Sequence, residues 1–374
     1  MNNRERALAV LNYEKYDRMP VVHFGFWREL LQKWHQEGHI TEEEASKCGD
    51  GNVYDAAISA KLGFDFCWGT QSGGSYGLNP GFEYKVLEKK PDGAVIHQNG
   101  NGLIEQVYPG IASIPATIGT LMTGREAWEE LYKPRLQPGS HRIGDAARIE
   151  WTKTTFETVT DRPAGLHAGS LYGSIRDMLG VEGLSYLYVD DEDLYYEIID
   201  TIGNICYETV KGFIDGGAVP DFLHFWEDIC FKNGPLINPA IFEEYVGPHY
   251  KRITDLARAK GVKLASLDCD GCIDKLVPIW LENGVNVMFP IEVGTWEASI
   301  EPWRKLYGKE LRGVGGMNKH VVAHDRKAVD NEVERLKPLV DLGGFIPCPD
   351  HRLPPDAEWD LTKYYCEQMR KAFG

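Results

Sequence analysis

The stretch KLASLDCDGC, residues 263–272, carries a short apolar run into Asp268, Cys269, Asp270, Gly271 and Cys272, so a buried strand is expected to end in a knot of acid and thiol. Side chains alternate across a strand. If the extended backbone persists to Asp270, the two acids share one side and Cys269 faces the other. Two carboxylates held side by side can coordinate a divalent metal, divide acid and base roles because their repulsion separates their proton affinities, or cap neighbouring helix N-termini. Capping accounts for one acid more readily than for two. The C-x-x-C formed by Cys269 and Cys272 could be a redox or zinc half-site, but there is no second C-x-x-C and no helix N-terminus obviously follows.

Stepping outward along the chain, eight short apolar runs alternate with helix-length amphipathic segments: PVVHFGFW (20–27), LGFDFCWG (62–69), PAGLHAGS (163–170), DFLHFWED (221–228), KLASLDCD (263–270), NVMFPIEV (286–293), LRGVGGMN (311–318) and GGFIPCPD (343–350). Between them lie patterns such as PAIFEEYVGPHYKRITDLARAKG, with apolar residues at helical spacing and a terminal Gly261. This predicts an α/β fold, a (β/α)8 TIM barrel, as a single domain over 1–374. A long insertion, about 71–162, falls between the second and third strands. It contains a predicted hairpin, FEYKVLEKKPDGAVIHQNGNGLIEQVYP, with PDG and NGNG as turn residues.

Chemistry in such a barrel belongs at the C-terminal strand ends. There fall His23, Trp27, Trp68, His167, Ser170, Tyr172, His224, Trp226, Glu227, Asp228, Asp268, Asp270, Glu292, Asn318, Asp350 and His351. A lone His at a strand end is more often a hydrogen-bonded core residue than a base, and the tryptophans could be rim packing. Their gathering on one face is what points to an enzyme.

Composition narrows the classes. A formal net charge of -16 without a long basic run excludes a polyanion such as DNA or RNA as partner. The N-terminus MNNRERALAVLNYEKYDR lacks the apolar core of a signal peptide, and no stretch approaches the ~20 apolar residues of a membrane span, so a soluble cytoplasmic protein is expected. The eight cysteines are scattered along the chain, which predicts reduced, buried thiols rather than a disulfide framework.

DRMPVVHFGFW resembles the Arg-x-Pro-Val opening strand of the uroporphyrinogen decarboxylase-like superfamily. The resemblance continues, in order, through HFWEDICFKNGPLINPAIFEEYVGPHYKRI, LDCDGCIDKLVPIWLENGVNVMFPIEV, YGKELRGVGGMNK and GGFIPCPDHRLPPD. One branch of that superfamily decarboxylates the acetate arms of a tetrapyrrole. The other passes methyl groups to or from a corrinoid protein, commonly with zinc. Where the decarboxylases resemble an MRQAGRY-like stretch, this chain has HFGFWRELL, aromatic with the single Arg28, poorly suited to several carboxylates. Where thiol-methylating members resemble H-x-C-G on the fifth strand, Asp268, Asp270 and Gly271 stand here, and Cys348, Asp350 and His351 fall near the place of the last ligand.

The resemblance is closest to the methyltransferase I components of corrinoid-dependent O-demethylases of anaerobic bacteria. It implies zinc on Asp268, Asp270 and His351, with Cys348 and Glu227 in reserve, and Asp268, Asp270 and Glu227 as catalytic groups. Carboxylate and imidazole ligands leave zinc more Lewis acidity for an ether oxygen than thiolates do. His23, Phe24, Trp27, Trp68, His167, Tyr172 and Trp226 would hold a methoxyarene substrate. No D-x-H-x-x-G cobalamin motif is present, so the corrinoid (cobalamin) is expected on a separate corrinoid protein docking over the barrel mouth, along 71–162 and the loops after His351.

Overall fold

The computed structural model describes residues 1–109 and 115–374. Eight parallel barrel strands follow one another in chain order: β1 Val22–His23, β2 Phe66–Cys67, β3 Gly165–Gly169, β4 Phe222–Trp226, β5 Leu264–Asp268, β6 Val287–Ile291, β7 Arg312–Met317 and β8 Phe345–Pro349. Each lies inside one of the eight apolar runs, and the (β/α)8 expectation holds. Strands β3 to β8 form a continuous parallel sheet extended at its β3 edge by Gln71–Ser72, which follows β2 in the chain and pairs with Gly165–Leu166, while β1 and β2 pair with each other. The ring closes through one bridge between Phe26 and Leu353, where the Trp27 amide donates to the Leu353 carbonyl and the Leu353 amide to that of Gly25, each at 3.1 Å.

Helices wrap the sheet because each carries an apolar stripe. In Arg326–Asp341 the buried apolar residues are Val329, Val333, Leu336, Leu339 and Val340, on one helical face, and the N-cap Asp325 accepts from the Ala328 amide at 2.8 Å. The segment Asn3–Leu11 opens on a capping box of Asn2 and Glu5 and covers the base of the barrel, where Arg4 pairs with Asp221 at 2.8 Å. Among the described residues no helix is long and apolar enough to cross a membrane.

The predicted hairpin is part of something larger. Lys85–Lys89, Val95–Gln98, Leu103–Val107 and Ala116–Thr120 form a four-stranded antiparallel sheet, with PDG and NGNG in its first two turns. Because Gln71 and Ser72 belong to the barrel ladder, the insertion begins after them. Its sheet packs on the helix Gly173–Asp190 that follows β3. That helix breaks at Gly180 (φ 69, ψ 169), a conformation essentially reserved for glycine. A Cβ there would also sit 3.0 Å from the Thr117 side chain. The hydroxyl of Thr120 bonds to the Met178 carbonyl at 2.5 Å beside the break.

Candidate active site

At the C-terminal mouth, strand alternation turns Trp226 and Asp268, partners across the β4–β5 ladder, to the same side. The ladder ends at Asp268, yet Asp270 still returns to that side, and Cys269 turns away to accept the Ile229 amide at 3.4 Å. Asp228, held at φ 49 after β4, completes the group: Asp228, Asp268 and Asp270 each offer an oxygen within 4.8 Å of the others. Asp228 takes the Asp270 amide at 3.2 Å, while Asp270 Oδ1 is buried without a hydrogen-bond partner. Burial first, then the neighbouring acids, push the Asp268 carboxyl well up; burial and Asp270 push Asp228 up to about 6.

Three crowded carboxylates with an orphaned oxygen are in want of a cation. Three oxygen donors converge and His351 flanks them with its Nε2 3.4 Å from Asp270 Oδ2, a set that fits a divalent metal held for Lewis acidity. Arg352 answers part of the charge and is itself held by Asp50 through contacts of 2.7 and 2.5 Å.

An aromatic wall faces the acids. His351 stacks with Trp27 at 5.9 Å and meets the edge of Phe24 at 5.4 Å, and Phe24 in turn meets Phe289 at 4.4 Å. Trp226 carries Arg176 over its ring at 5.3 Å. Trp68 and His167 lie in the barrel interior, Trp68 stacked on Phe222 and His167 on Tyr76. Burial lowers His167 to about 4, so its ring is neutral.

Four expected site residues lie elsewhere. Glu227 is fully buried on the opposite parity from Asp228. Its oxygens accept from the amides of Leu171, Tyr172 and Gly173 at 2.7 to 2.9 Å, from Tyr250 at 2.5 Å and from Ser170 at 3.3 Å. It caps the helix Gly173–Asp190: burial raises its carboxyl pKa against the pull of these donors, which leave no lone pair for catalysis or a metal. Tyr172 is buried with its hydroxyl 2.7 Å from that of Tyr195, away from the mouth. His23 points outward between the sheet and the helix Val53–Leu62. Cys348 is buried close to Cys67 and Tyr365 rather than beside the acids.

His23, Asp55 and Cys67 form a second close group. There the Gly25 amide donates to His23 Nδ1 at 2.9 Å, which places the ring proton on Nε2, toward Ser59 Oγ at 2.9 Å and Asp55 at 3.7 Å. With both nitrogens engaged, the imidazole has no free lone pair, and the group is structural.

Asp55 gives this layer a pH signature. Burial raises its carboxyl from 3.8 to about 7, so between those values the folded chain holds a proton that the unfolded chain has lost, and stability drops as pH rises toward 7. Asp55→Asn removes that term. Wild type is expected to lose roughly 3 kcal/mol more than the variant between pH 4 and 8, by urea unfolding. Parallel pH profiles would show that Asp55 stays ionised in the fold.

Asp228 is the site residue that the choice of ligands from sequence omitted. The alternation that pairs Asp268 with Asp270 also pairs Trp226 with Asp228 and turns Glu227 away, so the signal lies in the WED tripeptide.

No family model and no curated relative matches the chain. Solved structures do. A methyltransferase from Methanosarcina mazei superposes over 99% of this chain and 98% of its own, with a TM-score of 0.60 at 14% identity. A B12-independent methionine synthase from a Shewanella species aligns over 95% of this chain and 98% of its own, with a TM-score of 0.49 at 12% identity. The first likeness shows that this chain has the barrel fold of a methyltransferase.

Proposed function

We propose that the protein moves the methyl group of a methoxyarene, a guaiacol- or veratrole-like aryl methyl ether, to the Co(I) corrinoid of a separate protein. The observation that carries this reading is the group Asp228, Asp268 and Asp270, with the orphaned Oδ1 of Asp270, gathered at the barrel mouth with Trp226 beside Asp268 and with Phe24 and Trp27 packed on His351. The shared fold with a solved methyltransferase supports it.

Asp228, Asp268, Asp270 and His351 would hold zinc, which when bound supplies Lewis acidity at the ether oxygen. The chain's own work is positional. The aromatic wall fixes the plane of the arene so that its ether oxygen faces the acids and the methyl carbon faces the open mouth. The carbon–oxygen bond then breaks in line, its electron pair remaining on the aryl oxygen as the methyl carbon passes to cobalt. Burial of Asp268 keeps water from its own carboxyl group.

A tetrapyrrole decarboxylase needs cations for several carboxylates. The two guanidinium groups beside the acids are already committed, Arg352 to Asp50 and Arg176 to Asp177. Mixing the purified chain with veratrole and a Co(I) corrinoid protein separates the readings. Methylcobalt with stoichiometric phenol supports methyl transfer, CO2 released from a porphyrinogen supports decarboxylation, and binding without turnover leaves a small-molecule binding barrel.

A further inference from the structure

A cleft of about 940 Å³ opens beside the acids, between the insertion sheet and the broken helix Gly173–Asp190. Its lining includes Asp228, one of the three clustered acidic residues, together with Ile118, Leu179, Tyr186 and Phe231. Ile118, Tyr186 and Phe231 are each more than half exposed, an apolar surface beside the chemistry. The cleft exists because the helix breaks: at Gly180 the chain leaves the helical path where the strand Ala116–Thr120 crosses it.

Size and charge both constrain the occupant. The volume lies at the upper end of what a drug-sized ligand fills, several times that of one substituted benzene ring. Among the described residues the lining holds four carboxylates, Glu105, Asp177, Glu182 and Asp228, against one cation, Arg176. That cation is spent: its guanidinium bonds to the Asp228 carbonyl and to Asp177 and lies over the Trp226 ring. A carboxylated ligand would meet net negative charge with no free partner.

We infer that this cleft is the substrate groove, and that it takes an extended aryl methyl ether of about two rings bearing no carboxylate, with the methoxy end at Asp228 and the second ring along Ile118, Tyr186 and Phe231. This rests on the methyl-transfer reading above, and it narrows guaiacol- and veratrole-like compounds to the reacting end of a longer molecule.

The test is equilibrium binding to the purified full chain, followed by tryptophan fluorescence and calorimetry, which needs no corrinoid. The probes are veratrole, a neutral two-ring methoxyarene and the same compound carrying a carboxylate on its distal ring. The neutral two-ring compound is expected to bind at least 10-fold more tightly than either of the others. Ile118→Glu, an exposed position, is expected to weaken it at least 10-fold with veratrole unaffected, and Glu182→Lys to recover the carboxylated compound. Equal affinities for all three probes, or an unchanged two-ring affinity in Ile118→Glu, would overturn the groove. Running the same compounds in the methyl-transfer assay separates the two readings. Demethylation without a size preference overturns the groove and keeps methyl transfer. Two-ring binding lost in Ile118→Glu but never followed by demethylation keeps the groove and overturns methyl transfer.

Discussion

Replacing Asp270 by alanine should lower the rate of methyl transfer by at least about 100-fold with the barrel still folded. The carboxylate lies at the end of a strand rather than within it, and its Oδ1 has no hydrogen-bond partner to strand when it is removed. The fold therefore loses little. The site loses one of three oxygen donors and the partner of His351 Nε2. Zinc content is the second reading of the same experiment: with Asp268→Ala added, bound metal should fall from one equivalent to near none. Stoichiometric zinc surviving the double substitution would place the metal elsewhere, and an unchanged rate in Asp270→Ala would remove that residue from the chemistry.

Glu227 should show the reverse pattern, a large loss of stability from a residue with no part in the reaction. Glu227→Ala leaves the amides of Leu171, Tyr172 and Gly173 and the Tyr250 hydroxyl without an acceptor in a fully buried place. At 1–3 kcal/mol for each stranded donor, partly relieved by water entering the cavity, the cost is about 3–5 kcal/mol. Glutamine does not rescue it, because its NH2 group meets donors. Denaturant unfolding of both variants measures the effect; stability within 1 kcal/mol of wild type would mean that the donors find other partners.

The strands were legible because each is a short apolar run closed by polar residues, and the barrel followed from their number and spacing. Asp268 and Asp270 were legible through strand parity. His23 escaped the same logic: only the structure shows the Gly25 amide and Ser59 holding its ring on the outer face of β1. Tyr172 stands where a strand end meets a helix start, and whether it faces the mouth or Tyr195 is settled by helix packing, which periodicity within one run does not encode. The insertion sheet was half visible, since PDG and NGNG mark two turns, but its fourth strand has no such signal.

The single bridge that closes the barrel gives the molecule a seam. From β3 to β8 neighbouring strands share ladders of several residues, whereas β1 and β2 share two pairs and the junction of β1 with β8 carries the single bridge of Phe26 and Leu353, with the partly exposed pair of Asp50 and Arg352 as a clasp beside it. Protection against amide exchange should therefore be lower along this line than within the β3–β8 sheet and fall further as salt screens the clasp, with the β3–β8 ladder keeping its protection. Uniform protection around the ring would mean that no such weak line exists. Trp27 and His351 stand on opposite lips of the seam and stack across it. Local breathing there would part that stack and widen the mouth while β4 and β5 keep the three acids in register, making this thinly bonded line a hinge.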